Sequence, residues 1–291
     1  MTHVLAIDLG GTQLRAAVYS GDVAAMRDIA REAAPSSLAE FTSRISALCA
    51  EAGGVTGVGL AVPGLVEGTT CRWIPNLPYL DGVDIAVLLP EVQIGLGNDA
   101  QISLLAESTA GAAQGVLDAL LLAIGTGIGS AVLANGQIVA GSRGGACSFG
   151  WACADMDDPG EERSGWLERM AAGRALDVIA ARIGKASGAD LMASARRGDR
   201  AAIAALQIPA QSLGTALAGA VALLDPEIVL ISGGISDALD VLAPPILATM
   251  RSHLPAHLRW IEIRAGTFGP RAGLVGAAIA GAAGENWRQL R

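Results

Sequence analysis

The sequence predicts an α/β protein with two lobes of related topology. Short apolar segments that end in glycine turns alternate with longer segments of helical periodicity, as in α/β domains. The chain has 291 residues, which is more than one hydrophobic core usually accommodates. A strand, a glycine turn and a second strand at residues 4–19 recur at residues 119–134. We therefore expect a first lobe over residues 1–115 and a second lobe over residues 116–291.

The first lobe is predicted to begin as a β-meander with tight turns. Ser37 with Glu40 three residues later is typical of the capping box of a helix, and a buried strand ends at Pro63 and Gly64. The dipeptide Asn98-Asp99 falls where a strand meets a helix, and residues 67–81 form a loop-rich piece. We predict strands at residues 4–9, 14–19, 24–30, 55–62 and 92–96, and helices at residues 38–52, 85–89 and 99–114.

The second lobe is predicted to be richer in helices. We predict strands at residues 119–124, 128–134, 228–231 and 260–264, and helices at residues 165–170, 173–183, 190–196, 200–224 and 239–253. A last, Ala/Gly-rich helix is expected at about residues 272–290. Two stretches, residues 119–142 and 201–224, carry no charge, but the first contains glycine turns and the second contains Pro209 and several polar residues. The second stretch is typical of a helix pair packed closely inside the protein. We therefore favour a soluble protein over a membrane protein.

Composition excludes other classes of protein. Twenty Lys and Arg residues stand against 28 Asp and Glu residues, giving a net charge of −8, and no basic run occurs that would bind a nucleic acid. Four scattered cysteines without C-x-x-C spacing favour reduced thiols in the cytoplasm. The N-terminus enters an apolar strand at once, so we expect no export signal.

Three glycine turns after apolar strands are candidates for binding phosphate. Turns without Cβ atoms let backbone N–H groups approach phosphate oxygens, and a threonine hydroxyl adds a donor. Each turn taken alone could be an ordinary glycine turn of a β-hairpin. The presence of three such turns in one chain favours a nucleotide site. Rossmann and P-loop motifs do not occur. The candidate residues are Gly10, Gly11, Thr12, Gly125, Thr126, Gly127, Gly233 and Gly234.

Two aspartates lie beside the predicted turns and strand ends. Asp8 ends an otherwise apolar strand, where it either bonds its own turn or holds Mg²⁺ through water next to the phosphates. One residue of Asn98-Asp99 is expected to cap the following helix. The other would point from the carboxyl edge of the sheet, where it could take a proton from a hydroxyl that attacks a phosphate.

In order and spacing, several motifs resemble the ROK family of repressors, open reading frames and sugar kinases, within the actin-like ATPase superfamily. The resemblance covers nearly the whole chain. It is carried by Asp8 to Thr12, "GVGLAVPG" ending at Gly64, "NLPYL" from Asn76, "NDA" at Asn98 to Ala100 with Glu107 downstream, Gly125 to Gly129, "DPEIVLISGG" ending at Gly234, and "GLVGAA" from Gly273.

This resemblance implies two actin-like, ribonuclease H-like lobes with a nucleotide and sugar cleft between them. It implies ATP and Mg²⁺ as cofactors, with Asp99 as the base that deprotonates a sugar hydroxyl for attack on the γ-phosphate. Asp8 would hold Mg²⁺ through water. A homodimer is expected, with the last helix packing back on the first lobe. The residues expected near the sugar are Gly64, Asn76, Asn98, Asp99, Glu107 and Ser148.

The sequence departs from the family pattern around residue 148. Family kinases usually carry a Glu and a His that hold the sugar, followed by a cysteine cluster that binds zinc with the His. Here Ser148 stands at the position of the Glu and Trp151 at that of the His. Cys147 and Cys153 with no nearby His do not make a four-ligand site, so we expect no zinc.

The function that we expect is an ATP-dependent, glucokinase-like sugar kinase that phosphorylates a hydroxyl of a hexose or hexose-derived sugar. A non-catalytic sugar-binding sensor and a kinase that uses polyphosphate are the alternatives. Family repressors carry a DNA-binding segment before the first strand, and here that strand starts at Val4, so binding to nucleic acid is not expected. The sequence itself names no sugar.

Overall fold

The computed structural model describes residues 2–289 of the chain. The described residues do not include Met1, Leu290 and Arg291. The first residue of the first predicted lobe, the last residues of the second and the end of the predicted last helix therefore lie outside them. The strands are β1 (Val4–Leu9), β2 (Gln13–Tyr19), β3 (Arg27–Ala33), β4 (Gly57–Val62), β5 (Leu65–Glu67), β6 (Thr70–Trp73), β7 (Gln93–Asn98), β8 (Ala119–Ile124), β9 (Ile128–Ala134), β10 (Gln137–Ile138), β11 (Ile228–Ser232) and β12 (Ile263–Ala265). The α-helices are α1 (Leu38–Glu51), α2 (Ile85–Leu88), α3 (Asp99–Ala110), α4 (Trp166–Ala171), α5 (Gly173–Arg182), α6 (Gly188–Arg196), α7 (Arg200–Ala205), α8 (Gln207–Leu224), α9 (Leu239–Ser252) and α10 (Ala272–Ala283).

Two five-stranded sheets repeat one strand order. The first runs β3-β2-β1-β4-β7 and the second runs β10-β9-β8-β11-β12. In the first sheet β1, β2 and β3 form an antiparallel meander, and β4 and β7 continue it in parallel. In the second sheet β10 is antiparallel to β9, and β11 is parallel to both β8 and β12. The predicted α/β class is confirmed, and the shared order is the repeat that the glycine turns indicated.

The chain forms two compact units. The first comprises residues 2–115, 131–146 and 270–289 of the described chain, and the second comprises Val116–Ser130 and Cys147–Gly269. The units therefore do not follow chain order. Helix α10 belongs to the first unit, where it packs on β1, β4, β7 and α3.

In the first unit the two faces of the sheet differ in side-chain size. Leu5 and Ile7 of β1 lie on the same side as Leu60 of β4, in a core that also includes Phe41 of α1. The alternate residues of β4 are Gly57, Gly59 and Ala61, and a Cβ on Gly59 would overlap the carbonyl oxygen of Ala277 in α10. Because side chains alternate along a strand, large residues cover one face while helix α10 approaches the other closely. Asp8 lies on the α10 face.

In the second unit the central strands are buried along their length. Every residue of β11 is buried, as is nearly all of β8, which fits parallel strands covered on both sides. Helix α8 packs on α9 and on α4. The segment Arg200–Leu224 has the length and apolar composition of a membrane-spanning helix, but 56% of its most apolar window is buried within the protein. The core helix of a folded domain has the same composition.

Several predicted elements differ from the structure in extent. The helix pair expected in the uncharged stretch within residues 200–224 is α7 and α8, which meet at Leu206. Pro209 explains the break, since it lacks the N–H that a continuous helix needs there and is accommodated in the first turn of α8. The loop-rich piece contains the hairpin of β5 and β6. Helix α3 ends at Ala110 rather than near Gln114, because the backbone of Gly111 leaves the helical conformation.

Candidate active site

Three parallel strands of the first sheet end at one edge, and most candidate residues of this unit follow them. Strand β1 leads into Gly10, β4 into Gly64, and β7 ends at Asn98. Ligands of α/β proteins bind at the carboxyl edge of such sheets. The structure thus brings together three segments that are far apart in the sequence.

Asp8 forms an ion pair with Arg15 of the neighbouring strand. Nη2 of Arg15 donates to Oδ2 of Asp8 at 2.7 Å, and Nη1 donates to the carbonyl oxygen of Pro270 at 2.6 Å. Burial raises the pKa of Asp8, and the charge and hydrogen bond of Arg15 oppose that shift. A Cβ on Gly273 would lie 3.0 Å from the carboxyl group, so the first turn of α10 is pressed against Asp8. The pair holds the carboxylate in one orientation.

Asp99 is the first residue of α3. Its carboxylate accepts a hydrogen bond from the backbone N–H of Ala100 at 2.8 Å. Burial raises the pKa of Asp99 to about 6, and the negative charge of Asp8 adds to the rise. A carboxylate of this kind is ionised at neutral pH and still basic enough to accept a proton.

Asn98 joins the helix α3 to the end of β4. Its side-chain oxygen accepts from the N–H groups of Ala100 at 3.0 Å and Gln101 at 3.4 Å, which caps the helix as predicted. Its Nδ2 donates to the carbonyl oxygen of Gly64 at 3.1 Å. Asp99 is therefore not needed as the cap, and its carboxylate is available for other chemistry.

The first glycine turn closes between β1 and β2. The N–H of Gly10 donates to the carbonyl oxygen of Gln13 at 2.9 Å. A Cβ on Gly11 would lie 2.7 Å from Cβ of Asn76, closer than real Cβ contacts, so only glycine fits beside this asparagine. Thr12 is exposed, and its carbonyl oxygen accepts from the N–H of Ala34 at 3.1 Å. The turn and the predicted sugar-side asparagine are thus in contact.

Glu107 does not lie with these residues. It is fully buried near the C-terminal end of α3, and its Oε2 accepts from the N–H of Ala112 at 2.9 Å. Eight residues of helix separate it from Asp99, which is about 12 Å along the axis. The structure places Glu107 where it closes the end of a helix, away from the strand edge.

In the second unit, Glu168 of α4 holds the second glycine turn. Its Oε1 accepts from the N–H of Ile128 at 2.8 Å, and its Oε2 accepts from the N–H of Gly165 at 3.3 Å. A Cβ on Gly127 would lie 2.6 Å from Oε1, so a side chain there would displace the carboxylate from the turn. A Cβ on Gly125 would meet nothing within 4 Å, so there is open space beside this residue. Its N–H donates to the carbonyl oxygen of Gly127 at 3.0 Å, and its carbonyl oxygen accepts from the N–H of Gly173 at 2.8 Å.

The third glycine turn lies against the second. Gly233 has φ +82° in the left-handed region, and a Cβ there would lie 2.6 Å from the carbonyl oxygen of Ile124, the last residue of β8. The N–H of Ile235 donates to the same oxygen at 3.3 Å. Gly234 is exposed with open space around it. The two turns therefore lie side by side at the carboxyl ends of the adjacent strands β8 and β11, with open space beside Gly125 and Gly234.

Ser148 lies in a short segment beside the start of β9. It precedes a 3-10 turn, Phe149–Trp151, and the N–H of Phe149 donates to Oγ of Ser130 at 3.0 Å. Ser148 and Trp151 are exposed, whereas Trp166 is buried at the start of α4. Trp166 fills space in the core, and Trp151 does not.

The residues of this segment do not fit a zinc site. Among residues 2–289 no group of three or more His, Cys, Asp or Glu side chains is arranged to hold a metal ion. Cys147 and Cys153 form no disulfide bond, and Cys153 is exposed. Structural zinc takes four ligands, and two thiols without an imidazole do not provide them.

Oxygen ligands for Mg²⁺ are present in the first unit. Asp8 and Asp99 are close enough for the charge of one to raise the pKa of the other. A divalent cation near them would relieve this repulsion, and carboxylates are the ligands that Mg²⁺ prefers. Oδ2 of Asp8 accepts a hydrogen bond from Arg15. This arrangement is compatible with a carboxylate that binds the cation through a water molecule and not directly.

Sequence reasoning missed Arg15 and Glu168. Arg15 is seven residues from Asp8, and across the hairpin of β1 and β2 the two are direct partners. A hairpin register counted from the Gly10-Gly11 turn would have found this pair. Glu168 is far from the second glycine turn in the sequence, and only the packing of α4 brings it there.

Known proteins resemble this chain in sequence and in fold over nearly its whole length. A family model described as the ROK family matches residues 4–282. Kanosamine kinase of Amycolatopsis mediterranei is 30% identical over 97% of each chain. Glucokinase of Thermotoga maritima is 27% identical over 94% of this chain and 96% of its own. A ROK family glucokinase from Streptomyces griseus, solved in complex with glucose and AMPPNP, superposes with a TM-score of 0.79 at 26% identity, over 97% of this chain and 100% of its own.

Proposed function

The chain belongs to the ROK family, and from that premise we propose that it is an ATP-dependent sugar kinase that transfers the γ-phosphate to a hydroxyl of a hexose or hexose-derived sugar. Sugar phosphotransfer is the activity that its relatives, kanosamine kinase and glucokinase among them, support. The nucleotide complex of the Streptomyces griseus glucokinase supports ATP as the donor.

Asp99 is the proposed general base. The observation that carries this role is the carboxylate at the first turn of α3, whose pKa burial and Asp8 raise to about 6. It accepts the proton of the attacking sugar hydroxyl as that oxygen bonds to phosphorus. Asn98, held by Gly64, orients the helix end that carries the base.

The phosphates of the nucleotide are bound by backbone. The proposed donors are N–H groups of the three glycine turns other than those of Gly10 and Gly125, which donate to Gln13 and Gly127. The hydroxyls of Thr12 and Thr126 lie in the same turns. Mg²⁺, when bound near Asp8, would neutralise charge on the transferred phosphoryl group. The single lysine of the chain, Lys185, pairs with Asp199 at 2.7 Å and has no part in this proposal.

The sugar is proposed to lie beside Gly64, Asn76, Asn98 and Asp99. The contact of Gly11 with Asn76 links that asparagine to the first phosphate turn, and a hydrogen bond joins Asn98 to Gly64. Ser148 stays a residue predicted to contact the sugar. Glu107 takes no direct part, because it is buried at the far end of α3.

A cytoplasmic location and a homodimer are part of the same proposal. None of the four cysteines is in a disulfide bond, which suits a reducing compartment. The homodimer is proposed because the resemblance to the family implies one.

The experiment that tests the function is an ADP-release assay over neutral hexoses, N-acyl hexosamines and sugar acids, with ATP and with polyphosphate as donors. Asp99→Asn should lower kcat by at least about 100-fold while binding of AMPPNP persists. Asp22→Asn, which changes an exposed turn aspartate, is the matched control and should keep full activity.

Retained turnover in Asp99→Asn would refute the base. Binding of a sugar by the natural protein without turnover, for every donor, would instead support the non-catalytic sensor. Turnover with polyphosphate alone would replace ATP as the donor.

A further inference from the structure

Trp73 is an exposed tryptophan at the end of the hairpin β5 and β6, next to the proposed sugar site. Its relative exposure is 53%, although Val66 and Cys71 of the same hairpin are 1% and 0% exposed. A large aromatic side chain that stays exposed does not contribute the free energy that its burial would give to folding. A position that keeps one exposed beside a ligand site therefore has a candidate role in binding.

A β-bulge directs this side chain away from the core. In the hairpin Glu67 pairs with Thr70 and Val66 with Cys71, but Leu65 pairs with Trp73. Arg72 is thus the extra residue. With regular alternation Trp73 would share the buried face of Cys71, and the bulge moves it to the face of Leu65 instead. Bulges of this kind redirect side chains next to binding sites.

Trp73 is connected to the proposed base by direct contacts. Gly64 packs on its backbone, since a Cβ at Gly64 would overlap the carbonyl oxygen of Trp73. Gly64 in turn accepts the hydrogen bond of Asn98 at 3.1 Å, and Asn98 immediately precedes Asp99. The backbone of Trp73 is therefore connected through Gly64 and Asn98 to the residue that carries the proposed base.

We propose that Trp73 is a stacking platform for a group joined glycosidically to the phosphorylated sugar, so that the preferred acceptor is a glycoside or disaccharide and not a free hexose. This inference rests on the proposed function of the same site. The face of a second pyranose ring is lined with C–H groups, and an apolar aglycone is flat, so either packs on an indole ring. The second sugar ring and the aglycone thus have the same relevant property, which is an apolar face on the group that is joined through the glycosidic bond.

The test compares four acceptors in the ADP-release assay. They are the best free hexose of the screen, its phenyl glycoside, a disaccharide that carries this hexose at its non-reducing end, and its N-acetylamino derivative. Trp73→Ala, Trp73→Phe and the natural protein are measured with each. Trp260→Ala, which removes another tryptophan that is 56% exposed but lies in the second unit, is the matched control.

We expect Trp73→Ala to lower kcat/KM for the glycoside and disaccharide by about 3- to 10-fold and to leave the free hexose within about 2-fold. Trp73→Phe should recover part of the loss, and Trp260→Ala should change nothing. An equal effect on all acceptors, no effect on the glycosides, or a loss confined to the N-acetylamino sugar overturns the inference.

Calorimetric titration with the phenyl glycoside separates this inference from the proposed function. If no acceptor releases ADP, the kinase assignment fails. Weaker binding of the glycoside by Trp73→Ala than by the natural protein would still support the platform, and equal binding by the two would refute it.

Discussion

Arg15 donates a hydrogen bond to the carboxylate of Asp8 at 2.7 Å, across the first hairpin of the sheet. The same guanidinium holds the carbonyl oxygen of Pro270, just before α10. One side chain thus joins a carboxylate of the proposed site to the start of the helix that packs beside it. Arg15 is also the cation that opposes the effect of burial on the pKa of Asp8.

Replacing Arg15 should weaken binding of the Mg²⁺ nucleotide most at low pH. In Arg15→Gln the pKa of Asp8 rises further, because burial is no longer opposed, and a larger share of the carboxyl is protonated as the pH falls. We expect affinity for Mg²⁺ with AMPPNP to fall several-fold at pH 6 and less at pH 8, measured by calorimetry. Arg264→Gln, which breaks an exposed pair with Glu262, is the control and should have no effect. A loss that does not depend on pH would contradict this account.

Activity should decrease on the acid side of about pH 6. Asp99 must be ionised to accept a proton, and its pKa is raised to about 6, so kcat/KM should fall tenfold per pH unit below that value. The pH–rate profile of the free enzyme measures this. An acid limb near pH 4 would mean that Asp99 is not the base.

The same shift makes a prediction for stability. Because the folded state raises the pKa of Asp99 above its ordinary value of 3.8, the proton stabilises the fold at low pH, and that contribution is lost as the pH rises towards 6. Asp99→Asn, which removes the buried charge, should therefore raise the free energy of unfolding by about 1–2 kcal/mol at pH 8 and change it little at pH 3.5. Urea unfolding at the two pH values decides this, and equal changes at both would count against it.

Asn98 has two separable roles. Asn98→Ala removes both the helix cap and the hydrogen bond to Gly64. Loss of the cap should lower the free energy of unfolding by about 1 kcal/mol. Asn98→Asp keeps an acceptor for the cap but loses the N–H donor, so it should preserve stability and raise the KM for the sugar. Ser37→Ala removes the cap of α1 and serves as the control, since it should lower stability to a similar extent without a change in KM. Equal KM values for Asn98→Asp and the natural protein would refute the role of the hydrogen bond to Gly64.

Helix α10 should tolerate no side chain at Gly276. A methyl group there would overlap the carbonyl oxygen of Ile102 in α3, and both are backbone positions that cannot move alone. We expect Gly276→Ala to cost about 2–4 kcal/mol in urea unfolding. Gly219 of α8 is exposed with open space around it, and Gly219→Ala should stabilise by about 0.5–1 kcal/mol. Similar effects of the two substitutions would contradict the close packing.

Local patterns predicted most of the elements. The strands at residues 119–124 and 128–134 agree with β8 and β9, because alternation and glycine turns are local signals. The strand expected at residues 24–30 is β3, Arg27–Ala33, since Asp22 caps a short 3-10 turn before it. The strand expected at residues 260–264 is β12, Ile263–Ala265. Ends of elements depend on contacts that the sequence does not show.

The sequence by itself determined the α/β order, the three glycine turns and the position of Asn98-Asp99 between a strand and a helix. These follow from backbone preferences and hydrophobic periodicity within a few residues. Tertiary structure decided which residues meet. It set the pKa of Asp99 through burial and a carboxylate from another strand, placed Glu168 against a distant turn, and left Glu107 at the far end of its helix. Electrostatic effects depend on distance in space and on the loss of water, and no local pattern of residues specifies either.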